Sequence, residues 1–268
     1  MRALPLILVA VLSACPPIDE PEIVDPPPAE VVSFGSVTVL QAVQSHQVQA
    51  FFDDVSAPAL AAGCTSQEIV GCTLVTCDAP VPPAEANAPS LDAGSITVKS
   101  PRLEHTLTLG EDGAYETISV EAGEFFLNAE EIKANVAGGA DADVVALAVF
   151  APTRIQLTTP PLQSVNVSVL DPIDIAWSNS SAGELEATLT DAGLTRVATC
   201  KASAQGSGMS IPAEIVGRFP VGGGRLELAV ATTTTTTVDT TLVTFRAVSS
   251  VTSPTGTAAS YNVFFQAP

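Results

Sequence analysis

Few side chains in this 268-residue sequence are equipped for chemistry. There are two histidines (His46 and His105), one tryptophan and two tyrosines. Nucleophilic catalysis needs a nucleophile, a base within hydrogen-bond reach and a group that orients the base. His46 falls beside an expected strand turn and His105 inside an expected strand, so both read as solvated strand residues. No serine sits in a Gly-x-Ser-x-Gly elbow, and Gly206-Ser207-Gly208 lacks the required flanks. Gly222-Gly223-Gly224 is followed by Arg225, without the lysine and hydroxyl of a phosphate-binding loop. No catalytic residue is expected.

Carboxylates are plentiful. Gly138-Gly139-Ala140-Asp141-Ala142-Asp143 places two of them, Asp141 and Asp143, in a glycine-rich turn that suits a hard cation such as calcium. Solvated turn acids are the alternative, because the segment is neither an EF-hand loop nor a nonapeptide calcium repeat. Asp53-Asp54 is a weaker candidate of the same kind. A paired-carboxylate hydrolase acting on envelope polysaccharide or peptidoglycan is a rival reading. Its aromatic platforms would have to come from Trp177, Tyr115 or Tyr261, and Trp177, on an alternating apolar segment, reads as core.

Apart from Cys15, the cysteines are Cys64, Cys72, Cys77 and Cys200. Cys72 and Cys77 on one extended strand stand about 16 Å apart on opposite faces, too far for a bond that needs α-carbons within roughly 7 Å. A hairpin turning at Val70-Gly71 sets Cys64 opposite Cys77, and that disulfide is expected. Cys72 and Cys200 are expected to stay free, or to pair only if two domains fold back on each other. The spacings match no zinc signature.

The elements that must position these residues are mostly strands. Period-two alternation marks 33–40, 47–51, 74–77, 95–98, 103–109, 124–127, 132–136 and 144–150 in the first half. In the second it marks 165–170, 173–177, 184–190, 195–202, 225–237, 240–249 and 259–265. The six-threonine run 232–237 reads as part of a long hairpin turning near Val238-Asp239, since threonine favours strands. Ser210 is expected to cap one helical turn carrying Pro212. Prolines near 151–161 place a boundary between domains 31–157 and 158–268. The fold expected from this spacing is all-β, with two antiparallel β-sandwich domains.

Composition narrows the partners. Hydrophobic residues make up 46 % of the chain, too many for intrinsic disorder. Twenty-nine acids against ten bases argue against nucleic acid, since phosphates would not be neutralised. Residues 31–157 hold sixteen acids and four bases, net −12, and residues 158–268 hold eight and five, net −3. The second half is therefore the less repulsive surface for a partner.

Residues 1–14 have a positive start and a short apolar run, too short for the ~20 residues that cross a bilayer, and so read as a signal peptide. Leu12-Ser13-Ala14-Cys15 resembles a bacterial lipobox. That resemblance implies cleavage before Cys15 and fatty acylation of Cys15, giving a membrane anchor; proline at position 16 implies the outer membrane. Residues 15–30 then form a tether whose segment 16–30 has six prolines, five carboxylates and no base. As extended polyproline II it spans up to about 45 Å.

Asp174-Ile175-Ala176-Trp177-Ser178 resembles the tryptophan-bearing strand of fibronectin type III and related immunoglobulin-like domains. Other runs are similar to two-domain lipoproteins of myxobacteria: Gly71-Cys72-Thr73-Leu74-Val75-Thr76-Cys77, Ala151-Pro152, Ala198-Thr199-Cys200, 206–212 and Leu226-Glu227-Leu228. These resemblances imply that the two antiparallel β-sandwich domains are immunoglobulin-like and that the protein sits in the envelope, with no activity to transfer. The expectation is a non-enzymatic envelope lipoprotein with an envelope protein as partner and no cofactor beyond its lipid. A calcium-stabilised adhesive module is a further alternative.

Overall fold

The computed structural model describes residues 33–54, 60, 63–80, 90–160, 164–253 and 260–268. The leader, Cys15 and the tether lie outside the described residues. The chain is all-β, as its alternation requires, and the strands assemble into one large sheet and two small ones.

The N-terminal strands are β1 (Ser33–Gln41), β2 (His46–Asp53), β3 (Cys64–Ile69), β4 (Cys72–Cys77), β5 (Ile96–Lys99), β6 (Glu104–Leu107), β7 (Ile118–Val120), β8 (Glu131–Val136) and β9 (Val145–Phe150). Then come β10 (Gln156–Thr159), β11 (Ser164–Ser168), β12 (Ile173–Ser178), β13 (Glu184–Asp191), β14 (Arg196–Ser203) and β15 (Gly208–Ile211). A single-turn helix α1 (Ala213–Val216) precedes β16 (Gly222–Val238), β17 (Thr241–Ser250) and β18 (Ser260–Gln266). The eleven-stranded sheet runs β3-β4-β14-β13-β16-β17-β1-β2-β7, and β18 also joins β16 and carries β11. Strands β6-β5-β8-β9 form one small sheet and β10-β12-β15 the other.

Each small sheet covers part of the large one. In the first core, Ile96, Val98, Ile132, Ala134 and Val145 meet Val37, Val39, Val48, Phe52 and Phe245. In the second, Leu157, Ile175 and Trp177 meet Leu185, Leu189, Leu226 and Val263. Phe52, Phe125, Phe126 and Phe245 are fully buried, and burial of such a side chain contributes roughly 1.5–3 kcal/mol.

The division expected between 157 and 158 does not separate these cores. Strand β17 supplies Val243, Phe245 and Ala247 to the first core and pairs in parallel with β1, Ser33 opposite Thr241. Conversely, β4 pairs antiparallel with β14 and lends Cys72 and Leu74 to the second core. Strand β16 binds β13 and β18 through its first half and β17 through its second. Seventeen residues long, it measures about 56 Å at ~3.3 Å per residue.

The hairpin at Val70-Gly71 is present, with φ of 48° and 76° at its two central residues, the left-handed pair that a type I′ turn needs. It sets Cys64 opposite Cys77, and the two form a disulfide. Cys72 and Cys200 also form a disulfide, the branch expected only if the two halves fold back on each other, and not the free thiols. The reason is the β4–β14 ladder, which puts Cys72 directly opposite Cys200. This link lies within a sheet, unlike the intersheet bond of antibody domains.

Two local expectations also change. Residues 124–127 form no strand. The Phe126 N–H and C=O bond instead to the buried side-chain amide of Gln41, each at 2.9 Å, and the Leu127 N–H donates to Glu130. Side chains thus replace a ladder there. Ser210 lies in β15, opposite Asp174, and it is Pro212 that occupies the helix N-cap, with no side-chain cap bond.

Candidate functional site

The two acids expected to share a cation have separate partners. Asp141 accepts the Asp92 N–H through Oδ2 at 2.9 Å and returns its own N–H to the Asp92 carbonyl at 2.9 Å. Glycine is required at this contact, because a Cβ on Gly139 would stand 2.5 Å from the Asp92 carbonyl oxygen. Asp143 bonds instead to Asp239, in the β16–β17 turn. That hydrogen bond, then repulsion by Asp239, then slight desolvation raise the Asp143 carboxyl above its ordinary range. No group of three or more His, Cys, Asp or Glu suited to a metal occurs among the described residues. Asp53 ends β2 opposite Phe34. Asp53 and Asp239 therefore both sit at the end of the large sheet where β1 begins and Ser33 Oγ meets Thr241 Oγ1 at 2.6 Å.

The amphipathic rings are inside the cores. Trp177, Tyr115 and Tyr261 are all buried. The Tyr115 hydroxyl accepts the Ala93 N–H at 2.8 Å and donates to the Gly94 carbonyl at 2.9 Å, closing the loop beside Asp92. Burial raises the phenols of both tyrosines. None of the three rings offers a face to a sugar.

His46 is not the solvated strand residue expected, while His105 keeps partial exposure. His46, on β2, is 3 % exposed, and its Nε2 lies 2.9 Å from Nε2 of His105, on β6 of the facing sheet. His46 Nδ1 is 2.9 Å from the Gly123 carbonyl. A carbonyl only accepts, so this nitrogen carries the proton, His46 Nε2 presents its lone pair, and His105 Nε2–H donates to it. Both rings pack on Phe125, with centroids 5.4 and 5.5 Å away. Desolvation, and secondarily His46, lower the His105 pKa. Nothing in the sequence marks this pair, since fifty-nine residues separate its members.

At the other end of β16 an open groove of about 690 Å³ is lined by Leu194, Val197, Gly223, Gly224, Arg225 and Phe264 among others. Leu194, Val221 and Phe264 at this end are 47 %, 63 % and 46 % exposed. Gly224 has no room for a side chain, because a Cβ would stand 2.5 Å from the Thr190 carbonyl oxygen and 2.6 Å from the Phe265 ring. The outcome is an apolar, glycine-floored surface on the less acidic half. A strand in the same sheet region carries the Glu186 carboxylate, held by Arg246 at 2.7 Å and Lys201 at 3.1 Å.

No known protein family matches the chain, and no curated protein matches it in sequence. Among solved structures, the tetra-tandem repeat in the extending region of a large adhesion protein aligns over 81 % of this chain and 74 % of that one, at 14 % identity and a TM-score of 0.21. That similarity is too slight to carry an argument. Neither comparison supports the resemblance to myxobacterial lipoproteins. The two disulfides fit an oxidising, extracytoplasmic compartment, and no described helix is long and apolar enough to cross a membrane.

Proposed function

We propose that the protein is a non-enzymatic cell-envelope lipoprotein, acylated at Cys15 and held at the outer membrane, that displays a stiff β-body to a protein partner. The observation behind this reading is the polarity of the large sheet. The segment leading from Cys15 enters at Ser33, beside Thr241 and the acidic β16–β17 turn. The apolar groove lies at the Gly223–Gly224 end of the same strand. Fourteen residue steps from Gly224 to Val238 make about 46 Å at ~3.3 Å each. The two cores share one sheet, so a surface carried at one end moves with the other.

The polymer-hydrolase reading is weaker because the rings it needs line the cores. The test has two parts. Intact-mass analysis of native protein should find the leader removed and Cys15 carrying fatty acyl groups. A photo-crosslinking amino acid at Phe264 should capture one reproducible envelope protein, whereas the same probe at the exposed Thr237 should not. A free thiol at Cys15, or equal capture at both positions, would overturn the reading.

A further inference from the structure

We infer that His46 and His105 form a binding site for one late transition-metal ion, Zn²⁺ or Cu²⁺, that clips together the two sheets of the first core. The two imidazoles point Nε2 at each other from opposite sheets, with the nitrogens 2.9 Å apart in one hydrogen bond. Two nitrogens on a tetrahedral zinc, each ~2.0–2.1 Å from it, stand about 3.3 Å apart. The nitrogens therefore need to part by a few tenths of an ångström, and each ring to turn by about 35° so that its lone pair meets the ion off the nitrogen–nitrogen line.

His46 is already set as a ligand. Its Nδ1–H donates to the Gly123 carbonyl, the outer bond that fixes the tautomer and orientation of metal-binding histidines. The Gly123 loop is itself held, through an N–H bond from Gly123 to the Gln44 carbonyl at 2.9 Å. His105 need only move its proton from Nε2 to Nδ1 through solvent, which its partial exposure permits. The ion takes the place of the one proton between the rings, which moves to His105 Nδ1, with no net proton release.

Phe125 walls the pair on one side. The partly exposed His105 gives the approach from solvent. With no third protein ligand among the described residues, water completes the coordination. The site is therefore exchangeable and of micromolar grade. Imidazole donors select Zn²⁺ and Cu²⁺ over Mg²⁺ and Ca²⁺.

The test exploits the fact that these are the chain's only histidines. The full chain, purified without a polyhistidine tag and stripped with EDTA, is titrated with Zn²⁺ by calorimetry and with Cu²⁺ by electron paramagnetic resonance. Expected are saturable uptake of one ion per chain at micromolar metal, nitrogen coupling from two imidazoles, and a melting temperature raised by Zn²⁺. His105→Gln and His46→Gln should each abolish all three. If His46→Gln does not fold, the partly exposed His105→Gln decides alone. No saturable uptake, or uptake unchanged in folded His105→Gln, would overturn the inference.

Discussion

Replacing both Cys72 and Cys200 with alanine isolates the bond that ties the N-terminal half to the second core. The two disulfides differ in sequence separation, 128 residues for Cys72–Cys200 and 13 for Cys64–Cys77. Chain-entropy arithmetic for the unfolded state assigns about 5 kcal/mol to the long loop and about 3 kcal/mol to the short one. At roughly 2–4 °C per kcal/mol for a body of this size, the Cys72/Cys200 variant should melt about 10–20 °C below wild type. The Cys64/Cys77 variant should melt about 6–12 °C below it. The assay is calorimetric melting of both alanine pairs in a Cys15→Ser background, together with thiol titration in denaturant. No thiol should titrate in the Cys15→Ser parent. The order of the two shifts is the critical readout, because Cys72 and Cys200 are both buried beside strands whose ladder would survive bond loss. If the Cys72/Cys200 variant melts no lower than the Cys64/Cys77 variant, or if the parent shows two free thiols, the reasoning is refuted.

Gln41→Leu strands the N–H and C=O of buried Phe126. It should cost about 2–4 kcal/mol in urea unfolding, and a loss below half a kilocalorie would contradict the bond assignment. Asp239→Asn relieves the pressure on Asp143. Because the native state holds the Asp143 proton more tightly than the unfolded chain does, the strain is absent at acid pH and develops as pH rises through the raised value. The variant should therefore melt higher than wild type at pH 7 and lose that gain towards about pH 4. Wild type beside the Asp141→Ala plus Asp143→Ala double variant tests the calcium reading, since a calcium-dependent rise in melting temperature that the double variant lacks would establish a cation there. Val70 is 70 % exposed with φ at 48°. Val70→Asn, forming an Asn-Gly turn, should stabilise by about 1 kcal/mol in thermal melts, and a loss of stability would show that the turn is not strained.

Much of the fold is local and was therefore readable. Alternation in β8 and β9 predicts their inward rows because successive side chains on a strand face opposite ways. The Val70-Gly71 turn and the spacing of Cys64 and Cys77 predict their disulfide because a two-residue turn sets the register of its hairpin. The threonine run reads as a strand because β-branched residues favour that geometry, and the structure places it in β16. The 124–127 segment reads as a strand because Phe125 and Phe126 are apolar and buried, yet its backbone bonds to side chains, and the apolar pattern reports burial alone.

What the sequence determined by itself was the all-β class, most strand positions and the short-range disulfide, each set by signals a few residues long. Only the tertiary structure decided which strands lie side by side. Backbone donors and acceptors are the same in every strand, so nothing local tells β1 to pair with β17, 208 residues away at Ser33 and Thr241, or β4 with β14. The Cys72–Cys200 bond, the merging of two expected domains into one sheet and the His46–His105 contact all follow from those pairings. Each joins residues that share no neighbourhood along the chain, and each depends on how two cores pack at once.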